Sequence, residues 1–234
     1  MDLITEQKLE RRARILSGAR ELIAERGYAG LTMRDLAAHC RVSVPTLYNQ
    51  FGSKDALLAA AVEGHFQGVL ARTRETAQDL GAARVLAVVA QCADDIAALP
   101  RYNRALMQAF VHGRETVARL SIASELAAEL ERGLEEMRSR RQLADWVSAR
   151  VLADRITASC IAASMMWLVG EFDAEKTRAA MLHATSTMVL GCARGAARRP
   201  LEAAARDAQA VLETTGRRVA TAAANATDTA TATG

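Results

Sequence analysis

The residues best suited to selective recognition lie in one run, TMRDLAAHCRVSVPTLYNQF, residues 32–51. Ser43 is placed to cap a helix whose first turn holds Pro45, where a missing N–H costs nothing and φ is already helical. Val44, Leu47 and Phe51, spaced three and four apart, point inward. Pro45, Thr46, Tyr48, Asn49 and Gln50 are left on the outer face, which carries hydroxyl, amide, aromatic and apolar groups but no charge. Amides bond base edges, hydroxyls bond phosphates, and apolar groups meet thymine methyls. The chemistry is recognition rather than bond making.

These side chains need a frame. Thr32 caps a preceding helix, and Asp35 three residues on completes a capping box that satisfies otherwise orphaned N–H groups. Met33, Leu36 and Ala37 form the buried stripe of that helix. Two short helices around a tight turn make a helix-turn-helix, whose second helix suits the major groove of DNA. Ahead of it, a first helix carries Leu9, Ala13, Leu16, Ala19 and Ile23 on one face, with Ile15 and Leu22 alongside, and stops at Gly27. After it, Ser53 caps a fourth helix that packs through Leu57, Leu58, Ala61 and Val62 and then leads away through Arg72 and Glu75.

Residues 9–69 resemble the DNA-binding domain of the TetR family of bacterial transcriptional regulators. The resemblance rests on Gly27-Tyr28 ahead of Leu31-Thr32, on Val42-Ser43, on Leu47-Tyr48, and on Phe51-Gly52-Ser53-Lys54-Asp55 followed by Leu57. In one place the chain departs from the family pattern: Cys40 and Arg41 stand where a small residue and glycine usually precede Val-Ser. A left-handed residue there costs arginine roughly 1 kcal/mol that glycine avoids, and Arg41 gains a possible phosphate contact. The candidate DNA-contact set is therefore Thr32, Arg41, Ser43, Val44, Pro45, Thr46, Tyr48, Asn49, Gln50 and Lys54. Asn49 and Gln50 are assigned to bases, and Tyr48, Thr32 and Lys54 to phosphates.

The net charge of +3 over 234 residues is too mild for nonspecific electrostatics alone to bind DNA. Location matters more: Lys8, Arg11, Arg12 and Arg14 cluster against Glu10, either as an arm toward phosphates or as a solvated helix start. Cys40, Cys92, Cys160 and Cys192 lie far apart and no histidine has ligand spacing, so reduced thiols and no metal site are expected. Nucleophile, phosphate-loop and zinc-protease motifs are all missing, and no cofactor is expected. Asp94-Asp95 and Glu135-Glu136, adjacent on helices, read as solvated faces. The N-terminus lacks an apolar signal core, and Ile156–Val169 is shorter than the ~20 residues a membrane span needs, so a cytoplasmic protein off the membrane is expected.

Helical period persists to about residue 195, and the fold class is all-α. Helices are predicted over 83–99, ending at Pro100, then through Tyr102 to about Gly113, and over 115–140, 143–169 and 174–193, with Asp173 capping the last. Residues 82–194 form the expected C-terminal ligand-binding and dimerisation domain. Residues 195–234 add a basic helix and a tail too poor in apolar mass to fold. Tyr102, Met107, Phe110, Trp146, Met165 and Trp167 gather the large adaptable side chains of the C-terminal domain and are candidates to line a ligand pocket, or else form ordinary core. Ser159, Ala163, Met166, Ala184, Thr185 and Met188 offer slender helix faces for a homodimer contact, or for packing within one chain.

The resemblance implies a homodimer on a double-stranded palindromic operator, answering to a small-molecule effector and most often repressing. Activation, ligand-independent regulation and a purely structural role in a protein-interaction module are the alternatives.

Overall fold

A computed structural model describes residues 3–76, 81–112 and 116–231, and the side chains of 5–73, 81–108 and 123–214. Among them the chain forms α1 (Leu3–Gly30), α2 (Met33–His39), α3 (Val44–Phe51), α4 (Lys54–Thr76), α5 (Ala82–Ala98), α6 (Pro100–His112), α7 (Thr116–Ser139), α8 (Ala149–Leu168), α9 (Ala174–Leu190) and α10 (Arg198–Thr231). Strands are absent from the described residues, where a single bridge pairs Leu143 with Ala193. The fold is all-α. It divides into two compact units, residues 1–76 with 95–129, and residues 77–94 with 130–234.

In the first unit α1 breaks at Gly27, whose φ of 72° suits a residue without a Cβ. The buried row of α1 is Ile15, Ala19, Leu22 and Ile23, packed with Leu36, Leu47, Leu57, Leu58 and Ala61. That row is rotated from the expected one: Leu9 is 51% exposed, Ala13 is exposed and Leu16 is only half-buried. Near the helix start Leu9 stays half-exposed, so its hydrophobicity misstates the phase. Pro100 begins α6 rather than merely ending the helix before it, a first-turn position that proline favours. Helix α6 lies on α1, with Tyr102 and Ala105 inside the same core.

A polar brace crosses this unit. Asp95 is buried rather than solvated; its Oδ2 lies 2.9 Å from His65 Nε2 and accepts from Asn103 Nδ2 at 3.2 Å. Arg72 Nη2 stands 3.7 Å from the other oxygen. Burial pushes this carboxyl up, but the bonds from His65 and Asn103 and the charge of Arg72 outweigh it and leave Asp95 below the usual carboxylate range. Asp94, its neighbour, is the exposed member of the pair and meets Arg178 at 2.8 Å within the second unit.

In the second unit α5 and α7 approach closely because residue 133 is glycine: a Cβ there would sit 2.9 Å from Val85 Cγ2. Arg84 and the Gly81 N–H both bond Glu136, at 2.8 and 3.1 Å. The expected helix over 143–169 starts only at Ala149. Arg141, in the left-handed region at φ 57°, ends the preceding helix. The backbone then pairs with 192–194 through Ala144 N–H to Cys192 O and Arg194 N–H to Gln142 O. Ser148 caps the restart by accepting from Val151 N–H at 3.3 Å.

Helix α8 is long and apolar enough to cross a membrane by length and composition, more than Ile156–Val169 alone suggests. Its row Ile156, Cys160, Ala163 and Trp167 is nevertheless buried in the protein and packs on α9. Asp173 caps α9, accepting from Lys176 N–H at 2.7 Å. Helix α10 covers α9 with Leu201, Ala205 and Ala208. The tail expected not to fold, 219–234, instead continues α10 as helix to Thr231, since its many alanines carry helix propensity without apolar mass; its side chains and residues 232–234 lie outside the described residues.

The depressed acidity of Asp95 has a directional consequence. Its stabilisation is present above the unfolded carboxyl range, about pH 3.9, and is lost as pH falls through the lower folded value. Asp95→Asn should cost about 2 kcal/mol near neutrality. Denaturation midpoints of the two proteins should converge as pH falls below the ordinary carboxylate range, whereas a pH-independent gap would contradict the brace.

Candidate nucleic-acid interface

The helix-turn-helix is assembled by its caps. Thr32 Oγ1 accepts from Asp35 N–H at 3.1 Å and donates to Asp35 Oδ2 at 2.6 Å. That hydroxyl bond, helped by Arg26 at 3.4 Å, holds the Asp35 carboxyl below its ordinary range. Ser43 Oγ accepts from Thr46 N–H at 3.2 Å and lies 2.7 Å from Thr46 Oγ1. Ser53 caps α4 in the same way, accepting from Ala56 N–H at 3.0 Å.

Within α3, Leu47 is fully buried, and Val44 and Phe51 are half-buried against the same core. The opposite side is open: Tyr48 is 48% exposed, Pro45 and Asn49 are exposed, and Thr46 and Gln50 are half-exposed. Among the described residues, the side chains of Tyr48, Asn49 and Gln50 have no hydrogen-bond partner. Thr32, Arg41 and Ser43 are exposed as well. Lys54 is only half-exposed, because its Nζ donates to Tyr28 O at 3.4 Å and stands 5.4 Å from the Tyr28 ring centroid. Two of its three protons stay available for a phosphate.

Sequence reasoning missed the tie between α1 and the end of α3. Arg12 lies 4.8 Å over the Phe51 ring, a cation–π contact that joins the two helices. The only signal was a basic cluster next to an aromatic far along the chain, too unspecific to pair them.

The candidate pocket residues divide between the two units. Tyr102 sits in the core of the first unit, edge-on to His65 at 5.0 Å, and burial pushes its hydroxyl well above its ordinary range. Met107 is half-buried on α6; the side chain of Phe110 lies outside the described residues. In the second unit Trp167 is buried, Met165 half-buried and Trp146 80% exposed. Trp146 lines an open apolar groove of about 470 Å³ with Val151, Leu152, Arg155 and Met188, apart from Met165 and Trp167.

The candidate interface residues also divide. Ala163 and Thr185 are buried inside the unit, where Thr185 lies beside Cys160, whose thiol burial pushes up to about 12. Ser159, Ala184 and Met188 are half-exposed, and Met166 is 41% exposed. No group of three or more metal-binding side chains occurs among the described residues.

A capped three-helix unit that turns an uncharged polar helix outward belongs to the helix-turn-helix class. Residues 15–61 match the family model described as bacterial regulatory proteins, tetR family. It is 37% identical over 75 residues to the HTH-type transcriptional regulator UidR of Escherichia coli, covering 32% of this chain and 38% of that protein. It is 29% identical over 117 residues to the HTH-type transcriptional repressor KstR of Rhodococcus jostii, covering 50% and 55%. The fold of the crystallised regulator FadR of Bacillus subtilis, in complex with stearoyl-CoA, superposes with a TM-score of 0.62 at 18% identity, over 76% of this chain and 98% of that one. The chain thus spans little more than a third of the length of UidR and about half that of KstR.

The caps are separately testable. Ser43→Ala should cost about 1 kcal/mol in equilibrium denaturation and Ser43→Gly only a few tenths. Equal losses from the two would show that the hydroxyl does not hold the start of α3.

Proposed function

We propose that the protein is a sequence-specific DNA-binding transcriptional regulator, acting in the cytoplasm as a homodimeric repressor on a palindromic operator. The observation that carries this reading is the outward face of α3, where Tyr48, Asn49 and Gln50 have no hydrogen-bond partner among the described residues although the helix is capped and anchored at Leu47. Asn49 and Gln50 read base edges, while Tyr48, Thr32 and a reoriented Lys54 bind phosphates. An interaction module would present an apolar or strongly charged face there, and α3 has neither. Likeness to KstR, a repressor by description, favours repression.

Dimerisation is assigned to the outer side of α8. Val151 and Met166 are 59% and 41% exposed, Val169 just beyond the helix is 66% exposed, and the exposed Ala158 and Ala162 lie between them. Half-exposed Ala184 and Met188 on α9 extend that surface. A face of this kind, apolar and slender, suits a two-fold contact that sets two α3 helices one DNA turn apart, about 34 Å.

An apolar or amphipathic effector is proposed for the second unit, as FadR carries stearoyl-CoA on a similar fold. To weaken operator binding a hundredfold, it need only favour the non-binding conformation by about 2.7 kcal/mol.

In competition gel shifts on a selected operator, Asn49→Ala should relax preference at particular base pairs by about 1–3 kcal/mol. Tyr48→Phe should weaken all duplexes alike. If neither change alters binding, α3 is not the reading helix. For assembly, Met166→Glu should yield folded monomers in sedimentation and Leu9→Glu should leave the dimer intact. A dimer that survives Met166→Glu puts the contact elsewhere. Ala163 is unsuited to that test, since a carboxylate there would be buried unpaired and would unfold the unit.

A further inference from the structure

Between α1 and the end of α2 the first unit carries a polar hollow of about 630 Å³, lined by Arg14, Ser17, Glu21, His39, Cys40 and Arg41. Its walls are fixed by close packing. Residue 18 is glycine, and a Cβ there would sit 2.6 Å from Cys40 Sγ and 2.8 Å from His39 Cδ2, so the end of α2 lies flush on α1. The single carboxylate of the hollow is engaged: Glu21 Oε2 is 3.0 Å from His39 Nε2, and Glu21 Oε1 accepts from Ser17 Oγ at 3.3 Å. The two cations are not. Arg14 and Arg41 are exposed, and among the described residues neither guanidinium has a hydrogen bond or an ion pair.

Arg41 also occupies a conformation that costs arginine energy. Its φ is 52°, required because Arg41 N–H bonds Ala38 O and Val42 N–H bonds Ala37 O to close α2. Glycine adopts that conformation without penalty. Arg141 ends α7 with the same geometry, so a helix end tolerates arginine there. What sets Arg41 apart is the hollow and a second unpaired guanidinium on its rim. Arg41 precedes the Ser43 cap by two residues, a span of about 7 Å at most, and the start of the second helix is what enters the groove in this class.

We propose that Arg14 and Arg41 clamp one phosphate between them, and that it is a DNA backbone phosphate beside the groove entered by α3. Two guanidinium forks match the geometry of a phosphate better than any other pair of cationic side chains. This rests on the DNA-binding reading and adds to it a contact on the turn and on α1, outside α2 and α3.

The test uses the full chain and a duplex that the wild type selects from a random pool. Affinity is measured against salt for wild type, Arg41→Gly, Arg14→Gln and the double variant, with Asn49→Ala as control. A shared phosphate predicts that each single variant weakens operator and unrelated duplex by the same factor. It also predicts that the salt slope falls by about 1.8 in the double variant, about 0.9 for each of the dimer's two clamped phosphates, and by no more than that in either single variant. Arg41→Gly should do this while raising the melting temperature, because the backbone strain is relieved, so misfolding is not the cause. A double variant losing about 3.6, two phosphates for each protomer of the dimer, overturns the shared clamp in favour of separate contacts. Unchanged slopes overturn it outright; if Asn49→Ala still relaxes operator preference the DNA-binding reading stands, and if that too is silent the reading falls with it. Inorganic phosphate that raises the wild-type melting temperature but not that of the variants, with DNA slopes unchanged, would make the hollow a site for a free anion and overturn the backbone assignment.

Discussion

An eight-residue helix cannot hold itself in water, because nucleation costs more than two turns return. Everything about the N-terminal unit follows from keeping α3 folded while leaving one side of it unspent. Ser43 supplies the first turn, Leu47 supplies the burial, and Arg12 on Phe51 supplies the far end. Each of these acts from the inward side or from the ends. The outer row of Tyr48, Asn49 and Gln50 is consequently free of hydrogen bonds among the described residues, which is the condition for reading another molecule.

The same economy governs the helix that supports it. Helix α2 is as short as α3, and it too depends on a cap and on one tight contact, Cys40 in the notch of Gly18. Closing it forces Arg41 into the left-handed region, so the charge at the turn is placed by the backbone rather than by side-chain choice. In the second unit the constraint is different: α8 must be apolar on two sides. One side packs on α9 through Ile156, Ala163 and Trp167, and the other stays exposed at Val151 and Met166. Helix α10 lies along α9, and the outer side of α8 stays open to solvent.

The features legible in the sequence were those encoded by neighbours a few residues apart. Thr32, Ser43, Ser53 and Asp173 cap helices because a short polar side chain three residues before an N–H can hardly do otherwise. The inward positions Leu36, Leu47 and Leu57 followed from period alone. The features that were not legible depend on partners distant in the chain. Apolar period alone misplaces the stripe of α1, because Leu9 is apolar yet half-exposed. Asp95 looked solvated because its partners His65 and Asn103 come from two other helices. Tyr102 was grouped with residues of the second unit, yet α6 lies on α1. Residue type groups Trp146 with Met165 and Trp167, but it lines a separate open groove and faces solvent, because the chain before Ser148 is not helical, a break that helical period in 143–169 conceals.

The central claim is that α3 enters the major groove, and chemical protection of the selected duplex tests it most directly. Hydroxyl-radical cleavage should show two protected backbone patches related by a two-fold axis, with half-sites about 10 base pairs or a multiple of that apart. Methylation of guanine N7, which projects into the major groove, should be blocked between them. Protection confined to the minor groove, or a single patch without symmetry and without sequence preference, would contradict the account.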